Sequence, residues 1–208
     1  MANISRVTDR VWTGGDLPLH LGEAAMLADL EEVSQAGITH ILDNRLEWSD
    51  EEFVGVHAPG LRYRWNGEDD IGQRMPDHWF DAGVEFALDA LRRPDGQVLA
   101  HCHMGINRGP SMAFAILLAT GLDPVEALAA IRAARPVAAI SYSGDALGWW
   151  HRLTGAPVSV VRRQRAQVAA WHRRNPIDVV RIIRRIRAEE RAVSVVSPTL
   201  ESSCSSAD

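Results

Sequence analysis

The segment Val98-Leu99-Ala100-His101-Cys102-His103-Met104-Gly105-Ile106-Asn107-Arg108-Gly109-Pro110-Ser111 constrains this chain more than any other. An apolar run too continuous to be half exposed delivers the backbone to a cysteine. Five residues then separate Cys102 from Arg108, and a long apolar helix-forming stretch follows. The pattern predicts a central strand, a tight loop and a helix N-terminus. Unpaired amides at such a junction, with the helix dipole behind them, favour an anion.

The chemistry of the loop follows from its residue types. The thiolate is the nucleophilic form of cysteine. A helix start, the Arg108 cation and a hydrogen bond from His101 that fixes the loop would all favour it at Cys102. The same groups suit a phosphate dianion, because successive N–H groups in a tight turn form an anion nest and guanidinium matches phosphate in a two-pronged way. Gly105 lets the loop curl with no Cβ in the way. His103, Met104, Gly105, Ile106, Asn107 and Arg108 are therefore the expected substrate-binding set. A thiolate attacking phosphorus would give a phosphocysteine intermediate, its transition state stabilised by the nest and Arg108.

Strand and helix patterns alternate along the rest of the chain, which predicts an α/β sandwich. Ile4–Trp12 reads as a strand running into Gly14-Gly15, Leu21–Gln35 as a helix stopped by Gly37, and Ile38–Leu42 as a short buried strand. Glu47–Pro59 reads as loop, Leu61–Trp65 as strand and Asn66–Arg74 as a polar connection. Pro76 opens an amphipathic helix that Pro94-Asp95-Gly96 closes, and Pro110–Thr120 is helical. Asp123-Pro124-Val125-Glu126 is a helix start with an Asp cap and Pro at the first position. Residues 1–155 are the expected catalytic domain, 156–194 a basic helical extension and 195–208 a disordered tail.

His101 to Arg108 resembles the HCxxGxxR signature of cysteine-based protein phosphatases, and its surroundings resemble the dual-specificity group. Ile4–Gly15 is similar to that group's opening strand pair, Gly37–Leu42 to its next strand, and Gly96–Cys102 to its strand into the catalytic loop. The resemblance runs from about Ile4 to Leu153. It implies a tyrosine-phosphatase-like sandwich, a central mixed sheet with helices on both faces, followed here by a C-terminal helical extension. It also implies a metal-independent protein phosphatase of tyrosine or dual specificity that needs no cofactor. The family's general acid is an Asp on a loop roughly 30 residues before the Cys. Asp70, 32 residues before Cys102, is the expected acid, with Asp69 its competitor and Glu68 a distant third.

The chain departs from the family after Arg108. A Ser or Thr hydroxyl usually follows the Arg and aids breakdown of the phosphoenzyme, but Gly109-Pro110 stands here and Ser111 is the nearest hydroxyl. Ser111 is at most a supporting residue, and a slow second step is expected. The missing hydroxyl keeps open a pseudophosphatase that binds phosphorylated partners without turnover. Arg-Gly-Pro also keeps open the rhodanese-fold phosphatases, whose loops lack a glycine at the position of Gly105.

The family's lipid-phosphate members often place Lys in this loop. By analogy with the family, a mostly neutral loop in a chain without lysine implies a phosphorylated protein or peptide rather than an inositol lipid as the partner, with a small phosphorylated molecule as the alternative. The formal charge is −11 through His151 and +6 from Arg152 onward. Ser159–Arg174 and Asp178–Val193 read as basic helices, expected to dock on the catalytic domain or to contact a second subunit or acidic partner. No nucleic-acid motif is visible. Trp48 and Trp65 flank the site in sequence and are expected to line it. The histidines show no metal-ligand spacing, so no metal is expected. Two cysteines, Cys102 and Cys204, and no basic-then-apolar leader give the expectation of a reduced, cytoplasmic setting.

Overall fold

Five strands form one mixed sheet in the order β1-β2-β5-β3-β4 in the computed structural model, which describes residues 2–196. β1 (Ile4–Arg6) and β2 (Val11–Gly14) are antiparallel, while β2, β5 (Val98–His101), β3 (His40–Arg45) and β4 (Arg62–Glu68) run parallel. β5 is central, hydrogen-bonded to β2 on one side and β3 on the other. A parallel central strand is covered on both faces, and its side chains divide accordingly. Val98 and Ala100 enter the larger core, Leu99 the smaller.

The smaller core lies under α1 (Glu23–Gln35) and α2 (Glu51–His57), where Leu30, Val33 and Val54 meet Ile41 and Leu99. The larger one gathers α3 (Asp77–Arg92), α4 (Arg108–Ala119), α5 (Pro124–Ala134) and α6 (Ser143–Thr154). α4 is apolar on every side and every residue from Arg108 to Leu118 is buried, as a helix surrounded by other helices and the sheet must be. Its position carries the N-terminus of α4 to the C-terminal end of β5, where the chemistry-bearing loop sits.

α7 (Val158–Arg174) belongs to the same core, through Val168 and Trp171, and the Arg132 guanidinium lies 5.2 Å from the Trp171 ring centre. α8 (Val179–Val196) follows a short break. Residues 195 and 196, expected to begin a disordered tail, belong to α8, and the rest of that tail, with Cys204, lies outside the described residues.

Several boundaries differ from expectation. The first strand is a hairpin, because Thr8 Oγ1 accepts from the N–H groups of Arg10 and Val11 and turns the chain. The expected loop at 47–59 contains α2, held by Val54 in the small core. β4 extends to Glu68, into the first three residues of the expected polar connection, because pairing with β3 continues to Arg45. α7 begins at Val158 after Pro157, with no side-chain cap from Ser159. Asp123 does cap α5, accepting from the N–H groups of Val125 and Glu126.

Candidate active site

The loop from Cys102 to Asn107 is pulled outward by its carbonyls. The Asp16 N–H donates to His103 O at 3.0 Å, Arg135 donates to Met104 O at 3.0 Å and to Gly105 O at 2.6 Å, and the Ala139 N–H donates to Ile106 O at 2.7 Å. A planar trans peptide points its N–H opposite to its C=O. The N–H groups of Met104, Gly105, Ile106 and Asn107 therefore face the other way, as a nest of successive donors beside Cys102. Gly105 adopts φ +63°, and a Cβ there would fall 2.4 Å from the backbone of Gly14. That close approach is why the position must be glycine.

Cys102 is buried at the end of β5, its N–H donating to Gly14 O at 3.2 Å. Arg108 is buried on the first turn of α4. Its two terminal nitrogens donate to Glu47 at 2.9 and 2.7 Å, and one also donates to Glu68 O at 2.8 Å. Nε is buried without a partner and lies 3.7 Å from Asp70 Oδ2. Glu47 thus orients the guanidinium and leaves a desolvated donor for a ligand. Burial would lower the basicity of Arg108, but the Glu47 carboxylate and the charge of Cys102 outweigh it and raise the pKa. Burial would also raise the Glu47 carboxyl, yet the Arg108 hydrogen bonds hold it below the usual carboxylate range.

Asp70 shares one cavity with Cys102, Arg108 and Glu47. Its Oδ1 accepts from Asn107 Nδ2 at 2.6 Å and from the Tyr142 hydroxyl at 2.8 Å. Asn107 in turn accepts from the Ser141 N–H at 2.8 Å, so loop, carboxylate and the segment before α6 are tied together. Tyr142 is pushed up to about 12, by burial first and then by the Asp70 carboxylate, and remains a proton-bearing donor. Asp69 is exposed and does not line this cavity, and Glu68 reaches it only through its backbone carbonyl.

The remaining expected residues fall in different places. His103, Met104 and Ile106 line the cavity, and His103 Nδ1 lies 2.8 Å from Asp16 Oδ2. His101 does not hold the loop by a hydrogen bond as expected: Nδ1 has no partner, and Nε2 lies 3.7 Å from buried Asp43. Full burial pushes its imidazole down, against the upward pull of the Asp43 carboxylate. Ser111 Oγ accepts from the Tyr142 N–H at 3.3 Å, which commits it to the segment before α6. Gly109 has its own reason: a Cβ would lie 2.9 Å from the Ala100 oxygen and the His101 carbonyl carbon. The first turn of α4 is pressed against β5, so no hydroxyl-bearing residue fits without a backbone shift.

Trp48 packs edge-on to His103 with ring centres 5.1 Å apart and stacks under the Arg45 guanidinium, supporting the loop from behind. Trp65 is not at the site, because its indole N–H donates to Arg45 O on β3 and it lines a separate depression with His78 and Ala82. Sequence reasoning missed Glu47, Arg135 and Tyr142. Arg135 read only as the end of α5. Glu47 stood in a stretch read as loop, and its one signal is its place just beyond a buried strand.

No family model matches the chain. Its curated relatives in sequence are dual specificity phosphatases. Dual specificity protein phosphatase 26 of Mus musculus is 32% identical over 114 residues, which cover 53% of this chain and 50% of that protein. Dual specificity protein phosphatase 13B of Homo sapiens is 30% identical over 137 residues, covering 62% of this chain and 65% of that protein. The chain thus matches about half to two thirds of their length. The crystal structure of human DUSP28 superposes with a TM-score of 0.57 at 18% identity, covering 74% of this chain and 97% of that one.

Proposed function

We propose that this chain, dual-specificity-phosphatase-like in sequence and of the cysteine-based phosphatase fold, is a metal-independent phosphomonoester hydrolase with Cys102 as its nucleophile. The observation that carries the reading is the set of four outward carbonyls, which turns four amides toward the cavity that holds Cys102 and Arg108. In the first step the Cys102 thiolate attacks phosphorus, the ester P–O bond breaks, and Asp70 gives its proton to the leaving oxygen. The amide nest and Arg108 Nε stabilise the charge of the transferring phosphoryl group. In the second step water attacks the phosphocysteine, Asp70 takes its proton, and inorganic phosphate and the thiolate are released. Without a hydroxyl at Gly109, the second step is the slower one. By analogy with the relatives' names, phosphotyrosine and phosphoserine/threonine in peptides are the first substrates to try.

Hydrolysis of p-nitrophenyl phosphate in EDTA, with a burst of one nitrophenolate per protein before the steady state, tests the scheme. Cys102→Ser should lower the rate at least about a thousandfold, and residual activity near the wild-type level sinks it. The packing of Gly109 against β5 favours a second reading, a phosphoprotein-binding module. A full burst with no steady state, or tight phosphopeptide binding with no phosphate release, would support that one instead.

A further inference from the structure

The cavity around Cys102 is not closed by the catalytic domain alone. Val179, Ile183 and Arg187 of α8 line it together with Cys102, Asp70 and Arg108. These three recur every four residues, so they form one stripe along the helix. One turn to the side, Ile186 and Arg185 face the adjoining depression that Met104, His103 and Arg135 line from the other side. Asp178 caps the start of α8, its Oδ1 accepting from the Arg181 N–H at 2.9 Å, while the two depressions place the helix against the loop. The helix therefore passes across the mouth of the site, with one face toward the catalytic loop and the segment after Arg135.

That stripe has an order. Val179 and Ile183 come first and, with Ile106 and Ala139, make the apolar part of the cavity wall. Arg187 follows, about 12 Å along the axis from Val179 at a helical rise of 1.5 Å per residue. Arg185 pairs with Glu189 at 3.7 Å, whereas no carboxylate among the described residues pairs with Arg187. A free cation thus stands at the rim of a site whose floor already holds Arg108. The wider charge points the same way. Residues through His151 sum to −11 and would repel an anion, while the basic segment from Arg152 onward is brought to the mouth by α8.

We propose that α8 is a substrate-reading wall: Val179 and Ile183 pack against the apolar group that bears the scissile phosphate, and Arg187 pairs with an acidic side chain beside it. The substrate class this selects is phosphotyrosine in an acidic peptide. A tyrosine ring fills an apolar wall that a serine side chain leaves empty, and a flanking Glu or Asp meets Arg187. The proposal rests on the phosphatase reading for the place of the phosphate.

The test uses the full chain and three peptides: phosphotyrosine with Glu flanks, the same with Gln flanks, and phosphoserine with Glu flanks. The Glu-flanked phosphotyrosine peptide should exceed its Gln-flanked counterpart about fivefold in kcat/KM, through KM, as one exposed ion pair allows. Arg187→Gln should erase that preference, and so should raising the salt from about 0.05 to about 0.5 M, which shortens the screening length. Arg184→Gln, off the stripe, should keep it. Ile183→Ala should lower kcat/KM for phosphotyrosine about fivefold more than for phosphoserine, as loss of part of an apolar contact predicts. Binding of the same peptides to Cys102→Ser, read by fluorescence anisotropy, should show the same order without turnover. Turnover that ignores Arg187 and Ile183 overturns the wall and leaves the phosphatase standing. No turnover, with the binding order intact, overturns the phosphatase and leaves the wall.

Discussion

The loop from Cys102 to Asn107 is held by one arginine on its inner side and one on its outer side, and the two are held in opposite ways. Arg108, inside, gives both terminal nitrogens to a carboxylate and keeps one buried donor unspent. Arg135, outside, meets oxygens that carry no net charge: the carbonyls of Met104 and Gly105, Asn3 and the Ser5 hydroxyl. Their basicity diverges accordingly. Glu47 holds Arg108 above the ordinary guanidinium value, whereas burial pushes Arg135 below it, and for both the charge of Cys102 acts upward. The inner arginine is used as an oriented charge, and the outer one as a rigid rack of donors. Neither role can be filled by lysine, but for different reasons.

The sharpest way to break that contrast is Arg108→Lys. The charge survives, but a point cation cannot span Glu47 and still present a donor to phosphate. With one transition-state donor set removed, kcat/KM for p-nitrophenyl phosphate should fall about a thousandfold. The melting temperature should hardly move, since the ammonium can still pair with Glu47. A loss of less than about tenfold would mean that charge alone suffices on the inner side.

Arg135→Leu should show the opposite split. It leaves two carbonyls of the loop without their donors, at about 1–3 kcal/mol each if they stay buried. Thermal stability should drop clearly, and kcat should fall about a hundredfold as the amide nest loses its geometry. Arg135→Lys should recover little of either, because one ammonium cannot reach both carbonyls along the Arg135 fork. If the Leu variant melts early yet retains full kcat, the outer arginine serves stability alone.

The sequence announces the inner side far better than the outer. Cys102, Arg108 and Gly105 are visible because one local run needs a nucleophile, a fork of donors and a residue tolerant of positive φ within seven positions. The central strand was readable for a similar reason, since only a strand buried on both faces is apolar at Val98, Leu99 and Ala100 together. Arg135 was hidden because its task is set by distant acceptors, the carbonyls of Met104 and Gly105 with Asn3 and Ser5, and its own neighbourhood shows only a helix end before Pro136. Glu47 was hidden for the same reason, since a single carboxylate beyond a strand says nothing until the fold brings Arg108 within 2.7 Å. The α2 helix escaped because seven residues are too few to show a period against two acidic residues and a glycine. Gly109 read as a missing hydroxyl, and only the distance to β5 turned it into a packing requirement.

Glu47→Gln is the mildest probe of the inner side, and its pH dependence separates orientation from charge. The Glu47 side chain is 43% exposed, so solvent screens the pair and its worth to stability is discounted to well under about 1 kcal/mol. In a chain of this size that corresponds to a fall in melting temperature of about 2 °C near neutral pH. The Glu47 carboxyl lies below its ordinary value of 4.5 in the folded protein. Its stabilisation is therefore complete above that ordinary value and is lost as pH falls through the folded one. The two melting curves should differ from pH 7 to about 5 and converge at more acid pH, where wild-type Glu47 is itself protonated. Over the same range Gln can still accept from one Arg108 nitrogen, so kcat/KM should fall only about fivefold, the effect of a looser guanidinium. A difference in melting temperature that persists into strong acid would mean that Glu47 acts by shape and hydrogen bonding. The inner arginine would then resemble the outer one, and the distinction between an oriented charge and a rack of donors would collapse.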